Sequence, residues 1–77
     1  MKLYILNDDV NSFDNVIRIV QQYLNYPYLQ SASIASIVHN SGQCEVKDSD
    51  DEDLIKEIYT SMVKEGLHLR IEGYYYE

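Results

Sequence analysis

The chain reads as an α+β protein: a single small β-α-α-β-α-β domain in which a three-stranded sheet packs against three helices. Three observations predict it. Short apolar runs with β-branched or alternating character lie near the ends and in the middle of the chain. Between them, apolar residues recur every three or four positions, the period of a helix with one buried face. Residues that favour turns and caps stand at each junction. With 77 residues, the chain has room for one core and excludes a second domain.

The elements follow in order. Lys2 to Leu6 is a short apolar run that stops at Asn7-Asp8-Asp9, a turn-favouring cluster, and is the first strand. Phe13, Val16, Ile17, Val20 and Leu24 mark one face of helix one, with Asn11 or Ser12 placed to accept from its first N–H groups. Pro27 suits a helix start, and Leu29, Ile34, Ile37 and Val38 continue an apolar face of helix two to Gly42, a left-handed stop. Gln43 to Lys47 alternates, with Cys44 and Val46 on one face of the second strand. The carboxylates of Asp48 to Asp53 precede Leu54, Ile55, Ile58, Tyr59, Met62 and Val63, so they sit at the positive end of helix three. Gly66 closes that helix, and Leu67, Leu69 and Ile71 alternate with His68, Arg70 and Glu72 in the last strand. The tail Gly73-Tyr74-Tyr75-Tyr76-Glu77 is left open between a strand end, a dimer contact and a loose end.

Composition narrows the function. Hydrophobic residues make up 45% and charged ones 25%, the balance of a soluble globular domain. No apolar run is long enough to span a bilayer, and the first residues lack the form of a secretory signal. The formal charge of −7 opposes binding to nucleic acid or anionic lipid. Cys44 is the only cysteine, which removes an intramolecular disulfide and fits a reducing, cytoplasmic setting. The expected partners are proteins.

Helical spacing places Ala35, Val38 and His39 on neighbouring positions of helix two. If that helix packs beside Asn7-Asp8-Asp9, an imidazole, an amide and two carboxylates converge around an apolar recess. That set suits an ammonium: a peptide α-amino group, with a pKa of ~7.7–8.0, is mostly charged at neutral pH and has N–H donors needing acceptors.

A strand running into Leu6-Asn7-Asp8-Asp9, then a helix, then Val38-His39 with Gly42 three residues on, resembles the core of the ClpS family of Clp-protease adaptors. Leu69-Arg70 after Gly66 is similar to the family's closing strand, and Gly42-Gln43-Cys44-Glu45-Val46-Lys47 to a shortened version of its central strand. The resemblance covers nearly the whole chain and implies a ClpS-like fold over 1–77, a single adaptor core domain with almost no N-terminal extension. It implies a non-enzymatic adaptor of the N-end rule, with no cofactor, that binds N-degron substrate proteins beginning with Leu, Phe, Tyr or Trp. It presents them to a Clp-type AAA+ unfoldase, ClpA-like or ClpC-like.

Residue by residue, the resemblance implies that Asn7, Asp9 and His39, with Asp8 beside them, hold the α-amino group. Phe13, Val16, Ala35, Val38 and Leu69 match the walls of the hydrophobic pocket. The chain departs from the family where Val10, Asn11 and Ser12 replace a tyrosine, a threonine and a proline, and where Phe13 and Ala35 replace two methionines. A pocket reshaped in this way is expected to be wider beside helix two and more open to Ile or Val. Only six residues precede Asn7, so recognition is expected to outlast efficient delivery. The acidic run Asp48 to Asp53 also differs from the family's mixed sequence at that place.

Other readings compete. His39 alone reads as a dipole partner at a helix end, and Asn7-Asp8-Asp9 as a turn. A metal set of Asp8, Asp9, His39 and Cys44 lacks any paired-ligand spacing. The Asp48 to Asp53 run lacks the central glycine and twelfth-position glutamate of a calcium loop. Cys44 on a strand and Ser12 as a cap offer no nucleophile. The alternative function is a ClpS-fold interaction module that has lost degron binding or delivery.

Overall fold

The structure is a computed structural model that describes residues 1–73; the tail from Tyr74 to Glu77 lies outside the described residues. The elements are β1 (Lys2–Leu6), α1 (Phe13–Leu24), α2 (Tyr28–Ser41), β2 (Gln43–Asp48), α3 (Glu52–Lys64) and β3 (His68–Glu72). Local chemistry sets the junctions. The Ser12 hydroxyl accepts from the Asn15 N–H at 3.1 Å to cap α1. Asp51 does the same for α3 by accepting from the Leu54 N–H at 3.1 Å. Gly42 ends α2 with φ of 90°, a conformation costly for any residue with a Cβ. Asn25 ends α1 in the same left-handed region, at φ of 58°.

The strands form one antiparallel sheet in the order β2-β1-β3. The first strand is therefore central, pairing Leu6 with Gln43 on one side and with His68 on the other. Leu3 and Ile5 of β1 are completely buried, and Val46 of β2 nearly so. Leu69 and Ile71 of β3 are half-buried against the same core. The register between β1 and β2 shifts at Leu3/Tyr4 and skips Val46, whose carbonyl instead accepts from the Tyr26 hydroxyl at 2.5 Å. Burial pushes the Tyr26 hydroxyl pKa up, in keeping with a phenol held as a neutral donor.

On the other face, Arg70 crosses the sheet. Its guanidinium lies 4.5 Å from the centroid of the Tyr4 ring and donates to Gln43 of β2 and Glu72 of β3. One side chain thus touches all three strands.

The helices cover the apolar face. Ile19 and Val20 of α1 and Ile55 and Met62 of α3 have almost no exposure, each fully buried aliphatic side chain contributing about 1.5–3 kcal/mol. Ile19 falls outside the expected face of helix one because two partners cover α1, with α2 on one side and α3 on another.

Helix two departs from expectation in its facing. Leu29 and Ile37 are 79% and 45% exposed, whereas Ser31, Ile34, Ala35 and Val38 point inward. Ser31 is fully buried and its hydroxyl donates to the Tyr26 carbonyl. Small side chains at 31 and 35 let α2 approach α1 and β2, which no spacing of large apolar residues announces. In α3, similarly, Leu54 and Val63 are 38% and 41% exposed while Ile55 and Met62 carry the burial.

Candidate functional site

The loop from Asn7 to Ser12 leaves the end of the central strand and lies where β2 and β3 begin, α1 starts and α2 ends. Two anchors hold it. The Asn7 backbone N–H donates to the Gly42 carbonyl at 2.9 Å, while the Gly42 N–H donates to the Val38 carbonyl at 3.0 Å. The Asn7-Asp8-Asp9 segment is thereby tied to the last turn of α2, which carries His39. On the opposite side, the Asn11 side-chain amide donates to the Gly66 carbonyl at 2.8 Å. Both anchoring carbonyls belong to glycines with positive φ, 90° at Gly42 and 96° at Gly66, a backbone conformation other residues rarely adopt.

Within the loop, the Asp8 carboxylate accepts from the Val10 N–H at 2.8 Å, the Asn11 N–H at 2.7 Å and the Asn11 side-chain amide at 2.9 Å. This is an Asx-turn with an added side-chain bond. Burial pushes the Asp8 carboxyl up, but the Asn11 and Val10 hydrogen bonds and the nearby charge of His68 outweigh it. The carboxyl is held below its ordinary value. By contrast, the side chains of Asn7, Asp9 and His39 are exposed and make no hydrogen bond or ion pair among the described residues.

Of the expected wall residues, Val16, Ala35 and Val38 are buried together in the core, at 7%, 2% and 3% exposure. Leu69 is half-buried against that cluster and pairs with Ile5. Phe13, the first residue of α1, is 43% exposed. No pocket is present among the described residues, so the apolar recess expected beside helix two is not formed in this structure, where Ala35 is packed into the core. Phe13 stands at the edge of this end of the molecule, with Val16 one turn deeper on the same helix.

Asn11 and Asn15 play a part that the sequence reading misses. The Asn15 amide donates to the Asn11 side-chain carbonyl at 2.6 Å, which continues the network into α1. A signal was present: an aspartate three residues before an asparagine, directly ahead of a serine N-cap, has the spacing of an Asx-turn feeding a helix.

Other chemistry at this end is sparse. Burial and the charge of Glu45 push the Cys44 thiol up, away from the thiolate form a nucleophile needs. Among the described residues no group of three His, Cys, Asp or Glu side chains is placed to hold a metal ion. No helix is long and apolar enough to cross a membrane there either.

In class, the chain is a small α+β domain with an anchored polar loop tied to a helix end. The family model for the ATP-dependent Clp protease adaptor protein ClpS matches residues 1–68. The chain belongs to the ClpS family, whose members serve the Clp protease as adaptors and are not themselves proteases. Comparison with curated proteins gives no match.

Proposed function

We propose that this adaptor recognises N-degrons: it binds the free α-amino group and the bulky hydrophobic first side chain of a substrate and hands the substrate to a ClpA-like or ClpC-like unfoldase. The observation that supports the reading is the Asn7 N–H to Gly42 carbonyl bond, which ties the segment carrying the exposed Asn7 and Asp9 to the end of the helix bearing His39. The side chains of Asn7, Asp9 and His39 have no other partner among the described residues and can accept from an ammonium. The C-terminal end of α2 adds partial negative charge at the same place, favouring a cation. Of the residues expected around the first side chain, Phe13 is exposed and Leu69 half-buried, and Val16, Ala35 and Val38 lie in the core, so the first side chain is received at Phe13 and reaches the others only as the core yields.

The test is a fluorescence titration with peptides that begin with Leu, Phe, Tyr or Trp, each with a free or an acetylated amino terminus. Acetylation removes both the charge and the donors, and is expected to cost on the order of 2–5 kcal/mol. Equal affinity for the two forms would leave the chain an interaction module without degron recognition.

A further inference from the structure

We infer that Asn11 is the positioning residue of the amino-binding loop, and that Asp8 serves the loop through Asn11 instead of contacting the ligand's ammonium. The inference rests on the degron reading and assigns roles within it.

A carboxylate has about four acceptor positions, and Asp8 has three of them occupied by Val10 and Asn11 within its own loop. Asn11 is more fully engaged. Its side-chain nitrogen donates to Asp8 at 2.9 Å and to the Gly66 carbonyl at 2.8 Å, and its side-chain oxygen accepts from Asn15 at 2.6 Å. The orientation of that amide is fixed by its partners, since turning it over would set an oxygen against two acceptors.

Asn7 has its own backbone anchor on Gly42, but Asp9 makes no hydrogen bond among the described residues. The position of Asp9 is therefore set by its flanks: the Gly42 anchor before it and the Asp8–Asn11 turn after it. Asn11 ties that turn to Gly66, 55 residues further along the chain. Without Asn11 the loop keeps one anchor and loses the other. Removing the outer-shell partner of a metal ligand weakens binding about 10–100-fold, and the loss of the Gly66 anchor is expected at the lower end of that range because an ammonium is held only by hydrogen bonds and charge.

The experiment uses the full chain and a C-terminally labelled peptide beginning with Phe, in free and acetylated forms. Asn11→Ala is expected to bind the free peptide about tenfold more weakly while binding the acetylated one as before, so that the ratio between them shrinks. An unchanged ratio in a folded variant overturns the role of Asn11. A second measurement needs no variant: amide hydrogen exchange of Val10 and Asn11 in the wild-type protein, with and without saturating free peptide. If Asp8 stays with the loop, both amides keep their protection on binding. Faster exchange on binding would mean that Asp8 leaves them for the ammonium, and would overturn the inference even if Asn11→Ala does not fold. Wild-type protein that binds both peptides equally refutes the amino-group reading itself, and this inference with it.

Discussion

Ala35 shows how burial changes the meaning of a single residue. It is 2% exposed and lies in the core cluster with Val16 and Val38, so a larger side chain there must displace packed neighbours before it can line anything. Ala35→Met is therefore expected to lower the unfolding free energy by about 1–3 kcal/mol, measured by chemical denaturation. If the added bulk also reaches the first-residue pocket, peptides beginning with Ile or Val should lose ~1–3 kcal/mol of affinity relative to Leu and Phe. An unchanged order across a four-peptide panel would remove Ala35 from the pocket while leaving the stability prediction standing. Asp8 teaches the same lesson with polar groups: beside Asn7 and Asp9 in sequence, it differs from both in having its oxygens committed.

At the scale of elements, α3 depends on its N-terminus. The Asp51 carboxylate caps the Leu54 N–H, the Ser49 hydroxyl accepts from the Asp51 N–H at 3.1 Å, and Glu52 and Asp53 stand in the first turn. Asp51, Glu52 and Asp53 are thus accounted for locally, by cap and dipole, whereas Asp48 belongs to β2 and pairs with the N-terminal ammonium. Asp51→Ala is expected to cost ~0.5–2 kcal/mol, read from urea denaturation. No change in midpoint would show that Ser49 and the remaining acids suffice. At its other end α3 is held through Glu65, which accepts from Tyr23 at 2.6 Å and pairs with Arg18 at 3.3 Å, both on α1. The Tyr23 and Arg18 hydrogen bonds hold the Glu65 carboxyl below its ordinary value despite the opposing effect of burial. The stability this contact adds is present above the ordinary carboxyl range and lost as pH falls through the lowered pKa.

For the molecule as a whole, size is decisive. A chain of 77 residues with one cysteine relies on a single core, and such domains carry only ~3–5 kcal/mol of net stability. Ile19 has no exposure and belongs to the core cluster. Ile19→Ala is expected to cost ~2–5 kcal/mol, enough to leave much of the protein unfolded at physiological temperature. Circular dichroism melts check this, and a melt close to wild type would show that the core holds more reserve than its size suggests.

The sequence by itself determined the element order, a cap for α1 at Asn11 or Ser12, the left-handed glycines at Gly42 and Gly66, and the candidate loop and histidine, because caps and stops are encoded by residues within a turn or two of one another. The family resemblance added the roles expected of Asn7, Asp9 and His39. Only the tertiary structure decided that β1 is central, that Leu29 and Ile37 face outward while Ser31 faces inward, and that Arg70 spans the sheet. It also decided that Asn11 reaches Gly66 across 55 residues. Spacing along a chain sets which residues share a face. Which face is covered, and by what, depends on contacts between segments far apart in sequence, whose partners exist only once the loops between them have closed.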